Sequence, residues 1–170
     1  NLVVHCAAVL LNTGRIEATQ GDFRFYTDGI TPSVGKLQEL IDAERIMVGK
    51  ALGIDLADAR EWVRRAYDLK GDTLYELLSK NPAYANHGPD APKSINHRYV
   101  TEDVPNLLVP LLELARACIL EAPVTQSVVT ILSALLEKDF LREGRNLQRL
   151  GLSGMTAEQI RSYVTNGNPA

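Results

Sequence analysis

The chain has 170 residues, of which 45% are hydrophobic and 23% charged, with a net charge of −3. That make-up belongs to one folded domain with a sizeable core, and it excludes a disordered tail or a membrane-spanning bundle. The mildly acidic balance holds no basic block for a phosphate backbone, so nucleic-acid binding is not expected.

The opening apolar run from Leu2 to Leu11 has no basic residues before it and leads directly into Asn12-Thr13-Gly14-Arg15. It reads as a buried helix ended by Gly14 rather than as a signal peptide. Because the chain starts inside that segment, it is expected to be a piece of a longer protein. Gly21 to Gly29 is aromatic and irregular. Thr31-Pro32 then marks a helix start, with Val34, Leu37, Ile41, Val48 and Leu52 at helical spacing and Gly53 closing it. Asp55 caps the next predicted helix, which runs through Trp62 and Tyr67 to Gly71. A short helix follows from Asp72 to Lys80, stopped by Asn81-Pro82. Asn86 to Lys93, with Gly88, Pro89 and Pro92, reads as loop.

Helical pattern resumes near Thr101 and reaches Ala117, with a kink predicted at Pro110. Val124 to Lys138 is strongly periodic and reads as core or as a subunit contact. Phe140 to Leu150 is weaker, and Thr156-Ala-Glu-Gln159 is a capping box opening a last helix that ends near Gly167. No alternating strand of convincing length occurs. The expected fold is all-α, a single helical domain over residues 1–170 with seven or eight helices.

Two cysteines, Cys6 and Cys118, lie in apolar helical surroundings and read as free thiols of a reducing, cytoplasmic compartment. No Cys/His spacing suits zinc. The residues with chemical interest fall in two places. His5 lies on an apolar helix, where an imidazole either bonds a backbone carbonyl in the core or works as a general acid/base. Asp103 is its candidate carboxylate partner, with a second reading as a first-turn helix residue. Glu102 competes for either role. Arg98 is either a surface ion-pair residue or a bidentate clamp on a substrate carboxylate. His97 reads as solvated, His87 as a loop residue, and Arg15 with Glu17 as a structural ion pair. Trp62, the one tryptophan, reads as core. Gly14, Gly21 and Gly29 form no dinucleotide fingerprint.

Several of these segments together resemble the C-terminal catalytic domain of the opine (octopine/nopaline) dehydrogenase family. They include Asn1-Leu-Val-Val-His5, Leu11-Asn-Thr-Gly-Arg-Ile-Glu17, Phe25-Tyr26 and Gly29-Ile-Thr-Pro-Ser-Val34. Asp42-Ala-Glu-Arg45, Asn81-Pro-Ala-Tyr84, Arg98-Tyr-x-x-Glu-Asp-Val104, Leu108-Val-Pro110 and Gly151-Leu-Ser-Gly-Met-Thr156 complete the likeness. The last segments look most similar to bacterial carboxyalkyl-amino-acid dehydrogenases. Cys6 departs from the family, which commonly has proline after its catalytic histidine.

The resemblance implies a fold like the 6-phosphogluconate-dehydrogenase C-terminal domain. It implies NAD(P)H-dependent reductive condensation of a 2-oxo acid with an amino acid's amino group. His5 would then be the acid/base, Asp103 its partner and Arg98 the clamp on the oxo-acid carboxylate. NAD or NADP would be bound mainly by an N-terminal Rossmann domain that this chain does not contain, supplied by the same or a separate chain. A homodimer is compatible with this reading.

Two alternatives are set beside it. One is a catalytically silent helical module for dimerisation or partner binding. The other is the helical domain of another Rossmann-linked reductase, a class that typically relies on a helical lysine. The nearest lysine to the Arg98 motif, Lys93, lies in a loop.

Overall fold

The computed structural model describes residues 2–85 and 90–167, so His87, Gly88 and Pro89 of the expected loop lie outside the described residues. In chain order the elements are α1 (His5–Leu11), α2 (Thr13–Thr19), α3 (Pro32–Ala51), α4 (Ala59–Tyr67), α5 (Leu74–Ser79) and α6 (Pro82–Ala85). Then come α7 (Arg98–Thr101), a π-helical turn (Val104–Leu108), α8 (Val109–Ala117), α9 (Pro123–Leu135), α10 (Phe140–Glu143) and α11 (Ala157–Asn166). Three of these, α6, α7 and α10, are single turns of four residues. The other eight agree in number with the seven or eight expected, although α2 was not expected and Phe140 to Leu150 holds only the single turn α10. Among the described residues the one β feature is an isolated bridge between Arg24 and Asp90. The all-α expectation holds.

The 20-residue α3 is the axis of the fold, packing against α1, α5, α8 and α9. It buries Val34, Ile41 and Val48, each contributing roughly 1.5–3 kcal/mol through burial. Most of helix α1 is buried, with Cys6, Ala7, Ala8 and Val9 fully enclosed and Leu11 at its end exposed. Its small residues let α3 and α9 approach closely. At its end the Asn12 amide donates to the carbonyls of Ala8 and Gly29, both at 2.8 Å, and so ties the aromatic turn onto α1. Glu44 reaches across from α3 to the start of α9. Its carboxylate accepts from the backbone N–H of Val124 and Thr125 at 2.8 Å and from the Thr125 hydroxyl at 2.6 Å. Those amides are the orphan donors that every helix start leaves, and a buried carboxylate satisfies them.

Several boundaries differ from expectation for local reasons. Gly14 lies inside α2 instead of ending α1; the break is at Asn12. Asp58, not Asp55, caps α4 by accepting from the Glu61 N–H at 2.7 Å. That helix ends at Tyr67, where Asp68 takes the left-handed conformation. Thr73 and Glu76 form a capping box that starts α5. Pro82 begins a new turn rather than ending a region, as proline at a first helical position can. The expected kink at Pro110 takes the form of a widened turn. Pro110 has no N–H to donate, and Val109 donates instead to the carbonyl of Val104, five residues back. Arg15 makes no pair with Glu17, two residues along and off its face. Its guanidinium lies 4.0 Å over the Phe23 ring and donates to the Asp28 carbonyl. In α9, Val128, Val129 and Leu132 are core, while Ile131 and Leu135 are exposed. No described helix is long and apolar enough to cross a membrane.

Candidate active site

His5 opens α1, and the rigid packing of that helix fixes where its ring points. The imidazole is 6% exposed, and both ring nitrogens are engaged. Nδ1 lies 2.8 Å from Oδ2 of Asp103, a residue that is itself buried. Since a carboxylate only accepts, Nδ1 carries the proton and donates it. Nε2 lies 3.2 Å from the Tyr26 hydroxyl. One face of the ring is stacked on Tyr99, with centroids 3.9 Å apart and planes 24° from parallel. Tyr99 is in turn held to α1 through its carbonyl, which accepts from the Cys6 thiol at 3.4 Å. Cys6 is thus a packing and tethering group, and burial raises its thiol so far that no thiolate is available near neutral pH. Cys118 is also a free thiol.

Arg98 is one residue from Tyr99 but faces elsewhere. It pairs with Glu102 at 3.2 Å, and both side chains are mostly exposed. Glu102 is therefore committed to Arg98, and the carboxylate that meets His5 is Asp103. His97, expected to be solvated, is half-buried and caps α7, its Nδ1 accepting from the Tyr99 N–H at 3.3 Å. Burial, then the charges of Arg98 and His5, hold His97 below the ordinary histidine range, which keeps it neutral and able to accept.

Beside His5 opens a cavity of about 360 Å³. Tyr26, Tyr67, Tyr84, Trp62, Val4 and Leu78 are among the residues that line it. Tyr26 stacks flat on Tyr84, 3.9 Å and 9° apart, and the Tyr84 hydroxyl bonds that of Tyr67 at 2.8 Å. Trp62 meets Tyr67 edge-on and is 60% exposed, so it is cavity wall and not core. One rim carries Asp42 and Arg45, which pair at 2.7 Å. Asp42 also accepts from the Ala59 N–H, and Arg45 donates to the Ala57 carbonyl, so both charges are spent within the fold. Among the described residues no cluster of three or more His, Cys, Asp and Glu suits a metal ion. Sequence reasoning missed this tyrosine group because its three members come from three separate segments. The one local hint was a tryptophan on a helix whose apolar positions were already filled.

A histidine–carboxylate pair among aromatic rings beside an open cavity is chemically equipped to hold and move one proton. Comparison with known proteins shows the family. The family model described as "NAD/NADP octopine/nopaline dehydrogenase, alpha-helical domain" matches residues 1–136. The chain is 44% identical to an opine dehydrogenase of Arthrobacter sp. (strain 1C), over 96% of this chain and 45% of that protein. It is 32% identical to Protein ocs of Agrobacterium vitis, over 94% of this chain and 44% of that protein. The fold also matches a solved structure of octopine dehydrogenase with NADH and L-arginine, with a TM-score of 0.75 at 20% identity. That match covers 95% of this chain and 47% of the other. The chain thus spans a little under half the length of the curated relatives it matches. On this ground the chain belongs to the alpha-helical domain family of NAD/NADP octopine/nopaline dehydrogenases.

Proposed function

We propose that this chain is the substrate-binding and proton-transferring half of an opine dehydrogenase. It would serve the reductive joining of a 2-oxo acid to the amino group of an amino acid. The observation that carries this reading is the buried pair of His5 Nδ1 and Asp103 Oδ2 at 2.8 Å. The family assignment supplies the reaction class.

The described residues contain no strand leading into a glycine-rich turn and helix, so they do not form a dinucleotide cradle. An N-terminal Rossmann domain, in the same or a separate chain, holds NAD or NADP in this reading, and the reduced nicotinamide supplies the hydride. This chain alone then binds the cofactor weakly. Its own residues handle the proton and the substrates. Condensation needs a proton delivered to the oxo oxygen as the amine attacks. An imidazole whose charged form is balanced by a carboxylate can hold that proton in the interior until it is delivered. Asp103 orients the ring and stabilises its cationic form. Arg98, on the exposed side of the same motif, exchanges Glu102 for the carboxylate of the oxo acid, where a planar fork fixes orientation as well as charge.

The test uses the enzyme made of this chain and its cofactor-binding half. A 2-oxo acid, an amino acid and NADH or NADPH are supplied, and the secondary amine product is followed by mass spectrometry. His5→Ala is expected to lower kcat by at least about 100-fold with cofactor affinity nearly unchanged. A variant that turns over normally rules out the acid/base role. Absence of product from the unmodified enzyme, across oxo acids and amino acids, rules out the reaction.

A further inference from the structure

His5 does not border the cavity; Tyr26 does. The imidazole is 6% exposed, its Nδ1 is occupied by Asp103, and its Nε2 meets the Tyr26 hydroxyl. Its flat face is covered by Tyr99. The hydrogen-bonded route from Nε2 to the cavity therefore runs through one phenolic oxygen. That oxygen is also held in place. The Tyr26 ring is stacked on Tyr84 at 3.9 Å, and its edge meets Phe25 with centroids 5.3 Å apart and planes 89° from parallel. Moving the hydroxyl aside would unstack two rings at once, since Tyr84 is tied to Tyr67 through its own hydroxyl.

Resting on the dehydrogenase reading above, we propose that Tyr26 is a catalytic residue, a proton relay whose hydroxyl touches the oxo group of the substrate and connects it to His5. As the amine lone pair forms the C–N bond, the π electron pair of the C=O bond moves onto oxygen. The Tyr26 O–H proton passes to that oxygen, forming its O–H bond. The Nε2–H proton of the imidazolium passes to the Tyr26 oxygen. Tyr26 ends as it began, His5 is left neutral with its Nδ1–H still on Asp103, and the positive charge resides on the new C–N nitrogen. A phenol suits this part because its oxygen both donates and accepts, so it stays bonded to Nε2 whether or not the ring is charged. Burial, with Tyr99, Tyr67 and Asp103 nearby, pushes Tyr26 up to about 12. It therefore remains a neutral hydroxyl at working pH and passes protons without holding a negative charge.

Tyr26→Phe separates a relay from a shutter, because the phenyl ring keeps both ring contacts while the hydroxyl goes. A relay predicts that kcat falls on the order of 100-fold, the usual range for a lost proton donor, with KM for both substrates within about threefold. A shutter predicts the reverse, since removing the hydroxyl opens Nε2 to the cavity and turnover stays or rises; that result overturns the proposal. A fall in kcat accompanied by a comparable rise in KM, or by a lower thermal midpoint, overturns it as well and marks Tyr26 as structural. Nitrogen NMR of the His5 ring in this chain, read without turnover, keeps the two claims apart. An Nε2 resonance that shifts in Tyr26→Phe while Nδ1 does not supports the link, even if the unmodified enzyme forms no opine and the functional reading falls. An Nε2 resonance that does not move overturns the relay whatever the assay shows.

Discussion

Replacing Asp103 by asparagine keeps the shape of the side chain and removes its charge. Asp103 Oδ2 meets His5 Nδ1 at 2.8 Å, which places the centres of the two charged groups about 4 Å apart. At an effective dielectric near 20, a unit charge pair at that range is worth about 4 kcal/mol. The amide oxygen still accepts from Nδ1–H, and a hydrogen bond to the charged ring retains about 2 kcal/mol of that. Roughly 2 kcal/mol of support for the imidazolium is lost, which corresponds to a fall in turnover of about 30-fold. An asparagine that presents its NH2 group to Nδ1 forces the other tautomer and deepens the loss. The assay is steady-state kcat of the assembled enzyme, with the thermal midpoint measured alongside to show that the fold survives. Turnover within threefold of wild type in a folded variant refutes the reasoning, because no buried ion partner would then be needed.

Three other changes test neighbouring parts of the account. Glu44→Gln replaces the carboxylate that receives three donors from Val124 and Thr125. It is expected to cost about 2–4 kcal/mol in denaturant unfolding, and a variant of wild-type stability would show that α9 does not depend on this cap. Asp58→Ala should cost about 0.5–1 kcal/mol, near the low end for a cap because the side chain is over a third exposed. The Glu61 N–H holds the Asp58 carboxyl below its ordinary range, so its contribution is complete above pH 4 or so and is lost as pH falls. The stability gap between wild type and variant must therefore close in acid, and a gap that widens there contradicts the assignment. Arg98→Lys is expected to raise KM for the oxo acid about tenfold or more with a smaller effect on kcat, since a point charge replaces a fork. A change confined to the amino-acid substrate excludes Arg98 as the clamp.

What could be read from the sequence was what local chemistry decides. Thr31-Pro32 and the Thr156–Gln159 box start helices where expected, because caps and first-turn proline act within four residues. The pairing of His5 with Asp103 was a guess about residues 98 apart, and only the packing of α1 on α7 brings them into contact. Asp58 and Thr73 were passed over for Asp55 and Asp72, side chains equally able to cap; the tertiary contacts of each helix chose between them. Trp62 reads as core from the sequence, as a lone tryptophan most often is, yet α4 buries Val63 instead and turns the indole outward to the cavity. The Tyr26, Tyr67, Tyr84 and Tyr99 cluster was not legible at all. Rings from four segments meet there, and no periodicity within any one segment announces a contact with another.

The division of labour in the motif from Arg98 to Asp103 follows from helical geometry. Successive residues on a helix turn by about 100°, while residues four apart share a face. Arg98 and Glu102 form one such stripe and meet each other in solvent. Tyr99 and Asp103 form the next, and both reach His5, one by stacking and one by hydrogen bonding. Arg98 and Asp103 therefore cannot address one point from the same direction, although they lie five residues apart. If Arg98 holds the oxo-acid carboxylate, it does so from the open side, and the proton comes from the buried side through Nε2. The oxo carbon is then held between a surface charge and an interior acid. A clamp placed on the inner stripe would instead bring a guanidinium against the imidazolium and oppose the charge that the proton donor must carry. With the arginine one step around the helix, a substrate anchor there, if Arg98 is one, leaves Asp103 as the counter-charge in contact with His5.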